Sequence, residues 1–150
     1  SGDFSRFLQL QRRYAGRLDI MCGSDDQAAD YFSWGVRSWL AGTANVLPRH
    51  HVIIMDTANA GDHAEAIRQF AAILPWIQNM ESGSYNAKAK LGLAHQGFDC
   101  GPVRAPLLLI RAAWAHMSCK MFCRVCNSAK VIDDLKSSDS INELQTRWNR

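Results

Sequence analysis

Two short loops hold the residues of this chain best suited to chemistry: Gly23-Ser24-Asp25-Asp26 and Gly42-Thr43-Ala44-Asn45, with Pro48 close behind. Each follows at once on a short apolar stretch, Leu18–Cys22 and Val36–Ala41. In β/α proteins the reacting groups sit at the carboxyl ends of strands, in small polar loops of this kind. The carboxylates of Asp25 and Asp26 have two readings: groups at the mouth of a site, or N-caps of the helix expected from about Gln27. Asn45 is suited to holding its loop through side-chain hydrogen bonds. Two such junctions make half of an active site, and the other half must come from elsewhere.

The elements that must carry these loops follow from period and punctuation. Asp3 is a plausible N-cap for a helix with Phe4, Phe7, Leu8, Gln11 and Tyr14 on one face, ending at Gly16. Leu18–Cys22 and Val36–Ala41 are expected as strands, with a short helix Gln27–Trp34 between them closed by Gly35. A strand–helix–strand order predicts a parallel pair with a right-handed crossover. After Pro48 the pattern is helical: Arg49 to about Asn59, a break at Ala60-Gly61, then Asp62 to about Met80. The last of these puts Ile67, Phe70, Ala71, Leu74 and Ile77 on one stripe, with a kink expected at Pro75. Glu81-Ser82-Gly83 links to a third helix, Ser84–Gln96, closed by Gly97. Two strands do not make an independent sheet, so the first forty-eight residues call for partners outside this chain.

Composition narrows the field. The 150 residues are 47% hydrophobic and 21% charged, enough for a domain-sized core. A complete (β/α)8 barrel needs ~250 residues. No run approaches the ~20 apolar residues of a membrane span, and the net charge of +3 falls wholly in residues 111–150. The body is neutral and carries no electrostatic footprint for nucleic acid. The opening Ser1-Gly2-Asp3 reads as the start of a fragment as much as a natural N-terminus, and nothing in it reads as a signal peptide. Five cysteines without such a signal suggest a reducing, cytoplasmic setting and no disulfides.

Other tempting residues receive plainer readings. The adjacent His50-His51 cannot both face one metal and are expected at the surface. Cys22 and Cys100 are expected as buried small apolar groups. The tail holds His116, Cys119, Cys123 and Cys126. Its three-cysteine spacing is that of the iron–sulfur motif of radical S-adenosylmethionine enzymes, and with His116 it could instead make a zinc site. The radical chemistry needs a large barrel after the cysteines, and only twenty-four residues follow Cys126. The leading expectation for 111–150 is a segment without selected function, such as read-through past a shifted end; an ordinary extra helix comes next, and a metal site is the weak alternative.

Taken in order, six segments resemble a known family. They are Ser1-Gly2-Asp3, Gly23-Ser24-Asp25-Asp26, Gly42-Thr43-Ala44-Asn45-Val46 with Pro48, Gly61-Asp62, Lys88-Ala89-Lys90-Leu91-Gly92-Leu93, and Gly101-Pro102-Val103-Arg104-Ala105-Pro106-Leu107. Together they look like the C-terminal half of the dihydrodipicolinate synthase / N-acetylneuraminate lyase family, over about residues 1–110. The resemblance implies an α/β fold. Residues 1–48 would carry strands 7 and 8 of a (β/α)8 barrel, residues 49–110 an all-helical C-terminal region, and 111–150 an unmatched tail. It also implies a Schiff-base aldolase, lyase or dehydratase acting on a 2-oxo acid such as pyruvate and an aldehyde, with no cofactor, as a homotetramer.

In that family the imine-forming lysine stands on the sixth strand, so it is expected a few residues upstream of Ser1. Neither expected strand carries a lysine, and Lys88 and Lys90 are expected on a solvated helix face. By resemblance, Gly23 and Ser24 let the loop backbone approach the substrate, and Asp25 and Asp26 accept hydrogen bonds from its hydroxyls. The backbone carbonyl of Leu40 faces the bound 2-oxo acid, and Gly42 and Thr43 line the same rim. Two classes stay open at this stage: part of an enzyme whose lysine lies upstream, or a non-catalytic half-barrel remnant that only associates with other chains.

Overall fold

The computed structural model describes residues 2–107. Five helices carry most of it: α1 (Phe4–Tyr14), α2 (Ala28–Ser33), α3 (Pro48–Asn59), α4 (His63–Glu81) and α5 (Tyr85–His95). Two 3-10 turns, Asp25–Gln27 and Thr43–Asn45, coincide with the two polar loops.

Local chemistry explains the helix boundaries. Asp3 caps α1 by accepting from the Arg6 amide at 3.1 Å, and Asp62 caps α4 by accepting from the Glu65 amide at 3.1 Å. Pro48 opens α3, where a missing N–H costs nothing. Gly35 and Gly61 follow α2 and α3 with φ of 83° and 90°, a left-handed turn that a side chain would strain. α4 runs as one helix through Pro75.

The expected strands Leu18–Cys22 and Val36–Ala41 are corrected by the structure. The two segments run side by side and parallel, but they meet in a single bridge between Cys22 and Trp39. Cys22 N–H donates to the Ser38 carbonyl at 3.0 Å, and Leu40 N–H to the Cys22 carbonyl at 2.8 Å. Among the described residues the segments have only each other for neighbours and lack the further ladders that regularise a strand.

The core lies between this pair and α4. On α4 the buried face is Ala66, Phe70, Ile73, Ile77 and Met80, a spacing of four, three, four and three that tracks one side of a 3.6-residue helix. Ile67, expected on that stripe, is 48% exposed, so the inward face is rotated by about one residue from the expectation. Ile54 and Ala58 of α3, Val46 and Leu47 before it, and Tyr31 and Phe32 of α2 complete the cluster. Phe4, Phe7 and Tyr31 seat α1 on α2, with the Phe7 and Tyr31 rings 4.5 Å apart.

Lys88 also departs from expectation. It is 2% exposed rather than solvated, and its ammonium donates to the Asn79 carbonyl and to Ser82 Oγ at the end of α4. A cation suits that position, where the last helical carbonyls lack donors. Lys90 is partly buried and holds the following loop through the carbonyls of Cys100 at 2.7 Å and Pro102 at 2.9 Å. Cys100, expected buried, is exposed, while Cys22 is buried as expected.

Candidate functional site

The Cys22–Trp39 bridge brings the ends of the two extended segments together, and with them both polar loops. The buried Asp25 carboxylate joins them. Trp39 Nε1–H donates to its Oδ1 at 3.0 Å. Its Oδ2 takes the Thr43 amide at 3.0 Å and the Tyr85 hydroxyl at 3.0 Å, and lies 3.0 Å from the Thr43 hydroxyl. Four contacts, three of them on Oδ2, engage Asp25 inside the protein. Asp26 next to it is exposed, with its acceptor sites toward solvent. Neither residue caps a helix: Ser24 and Gln27 hold the N-cap positions, and neither makes a side-chain cap bond. The capping reading is therefore withdrawn.

Gly23 is exposed, and a methyl group added there would meet open space. Gly42 is different. An added Cβ would fall 2.3 Å from the Tyr85 hydroxyl oxygen and 3.0 Å from its ring, so only glycine admits the ring at this distance. Asn45 Nδ2 donates to the Gly42 carbonyl at 2.8 Å and closes that loop on itself. Leu40 is 72% exposed, and Thr43 is fully buried beneath the rim. Ser24 accepts from the buried Cys22 thiol at 3.3 Å, and burial pushes that thiol's pKa up.

Four residues in this arrangement carried no site reading in the sequence: Trp39, His51, Glu81 and Tyr85. His51, expected at the surface, is buried. Its Nε2 lies 2.8 Å from Thr43 Oγ1, its Nδ1 2.7 Å from the Leu47 carbonyl, and its ring 4.5 Å from that of Trp39. Burial lowers its pKa; the Leu47 carbonyl and Asp25 pull the other way. Tyr85 reaches back from α5, and burial followed by the Asp25 charge raises its pKa strongly. Glu81, at the end of α4, faces the backbone amides of Asp26 and Asp25. Although largely exposed, it is raised by partial desolvation and by the two neighbouring carboxylates, which outweigh those amides. One signal for His51 was present: it shares the spacing of Ile54 and Ala58 on α3. Tyr85 stands sixty residues from Asp25, beyond the reach of any local pattern.

Among the described residues no group of three or more metal-ligating side chains forms, and no helix is long and apolar enough to cross a membrane. The tail set His116, Cys119, Cys123 and Cys126 lies outside the described residues.

Comparison with known proteins places this arrangement. The model of the dihydrodipicolinate synthetase family matches residues 1–116. The chain belongs to that family. Among dihydrodipicolinate synthetase relatives, a 4-hydroxy-tetrahydrodipicolinate synthase of Exiguobacterium sp. is 30% identical over 112 residues, covering 75% of this chain and 38% of its own length. A probable 5-dehydro-4-deoxyglucarate dehydratase of Saccharopolyspora erythraea is 31% identical over 112 residues, covering 71% of this chain and 36% of the relative. This member of the family thus spans well under half the length of the curated relatives it matches.

Solved structures agree on the fold. The 4-hydroxy-tetrahydrodipicolinate synthase of Methylacidiphilum fumariolicum superposes with a TM-score of 0.82 at 19% identity, over 90% of this chain and 45% of that one. The N-acetylneuraminate lyase (sialic acid aldolase) of Aliivibrio salmonicida gives 0.70 at 21%, over 83% and 42%. These neighbours are (β/α)8-barrel proteins of the dihydrodipicolinate synthetase family, and the described residues take the fold of part of such a chain.

Proposed function

We propose that this chain supplies the substrate-facing wall of a 2-oxo-acid lyase or dehydratase that works through a lysine Schiff base, the lysine being contributed by a segment that precedes Ser1. In this reading the lysine amine condenses with the ketone of a pyruvate-type acid and water leaves. The iminium then accepts the electron pair of a breaking carbon–carbon bond, or that of a neighbouring C–H bond as its proton leaves, giving an enamine that expels hydroxide from the next carbon. Residues 1–48 stand for the seventh and eighth barrel strands with their loops, and 49–110 for the helical region behind them. Gly23, Ser24 and Asp26 face the substrate from one loop, and Gly42 and the Leu40 carbonyl from the other. Asp25 and Thr43 hold the two together. The working enzyme is a cytoplasmic homotetramer without a cofactor, acting on a 2-oxo acid and an aldehyde.

The observation that carries this reading is the join between the loops. Two polar loops that begin nineteen residues apart are bonded through one buried carboxylate, at the carboxyl ends of adjacent parallel segments, in a chain of this family. That is where β/α enzymes keep their chemistry.

A second reading, a non-catalytic remnant that associates with other chains, is favoured by different observations. The extended segments carry no lysine, and Leu18, Met21 and Leu40 are 54–72% exposed. Lys88 meets one requirement of a nucleophile, since burial lowers its pKa. Its ammonium, however, is already engaged by the Asn79 carbonyl and Ser82 Oγ at the end of α4.

The two readings separate by experiment. The isolated chain treated with pyruvate and borohydride is expected to gain no mass; a stoichiometric adduct on Lys88, Lys90, Lys120, Lys130 or Lys136 would overturn the assignment of the lysine. The DNA before Ser1 decides the rest. An open frame encoding a strand that ends in lysine supports the enzyme, and an in-frame stop there supports the remnant.

A further inference from the structure

Behind the rim, three buried side chains lie in a row with too few hydrogens. The Leu47 carbonyl only accepts, so His51 Nδ1, 2.7 Å away, carries a hydrogen. His51 Nε2 is 2.8 Å from Thr43 Oγ1, and the same oxygen is 3.0 Å from Asp25 Oδ2. The hydroxyl has one hydrogen for these two contacts. With neutral His51 it serves either Nε2 or Asp25, and lone pairs face each other across the contact left over. A protonated Nε2 satisfies both: Nε2–H donates to Thr43 Oγ1, and the hydroxyl donates to Asp25. On the far side the other partners of Asp25 are donors, from Trp39, the Thr43 amide and Tyr85, the surroundings of an acceptor-only carboxylate.

We propose that His51 is a positioning residue of the rim: its imidazolium, acting through the Thr43 hydroxyl, locks Asp25 and so fixes the Gly23–Asp26 loop against Gly42 and Thr43. The functional meaning of the lock rests on the substrate-rim reading above; the hydrogen count does not.

The groups facing the imidazole set where the lock engages. Burial opposes the charged form of His51, while the Leu47 carbonyl and the Asp25 charge favour it; the neighbouring His50 on α3 is itself held down by burial and by His51. The Trp39 ring from the second extended segment covers one face. Tyr85 from α5 and Glu81 from α4 act at one remove, on Asp25 and its loop. Burial wins, so His51 charges below the ordinary 6.5; by linkage that protonation costs the fold net stability, of which the Thr43 contact returns a part.

The test is 15N-histidine NMR of the full 150-residue chain, in solution or in the solid state, titrated from pH 8 to 5. Nδ1 of His51 should stay protonated throughout, while Nε2 gains its proton with a midpoint below 6.5. The Gly42 and Thr43 amide shifts should follow with that same midpoint. Thr43→Val should lower the His51 midpoint further and uncouple the Gly42 amide, and Thr43→Ser should restore both. A purely structural threonine would not move the Gly42 amide with pH. A lone pair on Nδ1, amides indifferent to His51, or a Thr43→Val chain titrating like the parent would each overturn the lock. If Thr43→Val fails to fold, coincidence or separation of the parent midpoints decides. Loss of the lyase reading would leave these shifts unchanged, and loss of the lock would leave imine trapping unchanged.

Discussion

Asp25 and Asp26 are adjacent and chemically identical, and the fold gives them different work. Asp25 ties the Trp39 segment, the Thr43 turn and α5 to its own loop, whereas Asp26 meets solvent. Replacing Asp25 with Asn swaps one acceptor oxygen for an NH2 that must face donors, and leaving buried groups unsatisfied costs about 1–3 kcal/mol. The expectation is that Asp25→Asn lowers stability by roughly 2–3 kcal/mol and Asp26→Asn by less than about 0.5 kcal/mol. Equal losses in urea melts of the two variants would remove the strut assignment. In an intact enzyme the order reverses for binding. Asp26→Asn should raise KM for a hydroxylated substrate, since a charge-assisted acceptor is worth about 1.5–3 kcal/mol. Imine formation with pyruvate should be nearly untouched.

α5 meets Asp25 through Tyr85, whose hydroxyl oxygen lies 2.3 Å from where a Gly42 Cβ would be. Gly42→Ala should therefore destabilise the chain by about 1–3 kcal/mol, as overpacking does. In a Tyr85→Phe background the same change should cost less, because the oxygen that clashes is gone. Additive losses across that cycle would mean that the loop adapts without the ring. Helices were the legible part of this molecule because their signals are local: Asp3 and Asp62 start them, and Gly16, Gly35, Gly61 and Gly97 stop them. The extent of the strands is not legible in the sequence, because a ladder is decided by neighbours, and among the described residues Cys22–Trp39 has none beyond the pair itself. For His51 and Lys88 residue type points to the surface and helical position to the interior. Each sits on the inward stripe of its helix, His51 with Ile54 and Ala58, Lys88 four residues before the buried Gly92. The two loops were legible as places for chemistry; what binds them together was not, since Tyr85 and Glu81 join through tertiary contact alone.

At the scale of the molecule, helices α2–α4 cover the extended pair from one side, while Leu18, Met21, Trp34 and Leu40 remain 53–72% exposed. Unpaired edges beside exposed apolar side chains are association surfaces. The isolated chain should therefore self-associate in sedimentation experiments, and a sharp monomer at every concentration tried would count against this.

The reach of Tyr85 across sixty residues also imposes an order in time. A nascent chain exposes both loops long before the residue that pins them has been made. Counted from Thr43, forty-two residues before Tyr85, the delay at ~5–20 residues per second is on the order of 2–8 s. Through that interval Asp25 has its Trp39 and Thr43 partners within reach but not the one that wedges against Gly42. Synthesis halted between α4 and α5 would leave the two loops without that wedge, so the rim takes its final shape only once the fifth helix clears the ribosome and folds back.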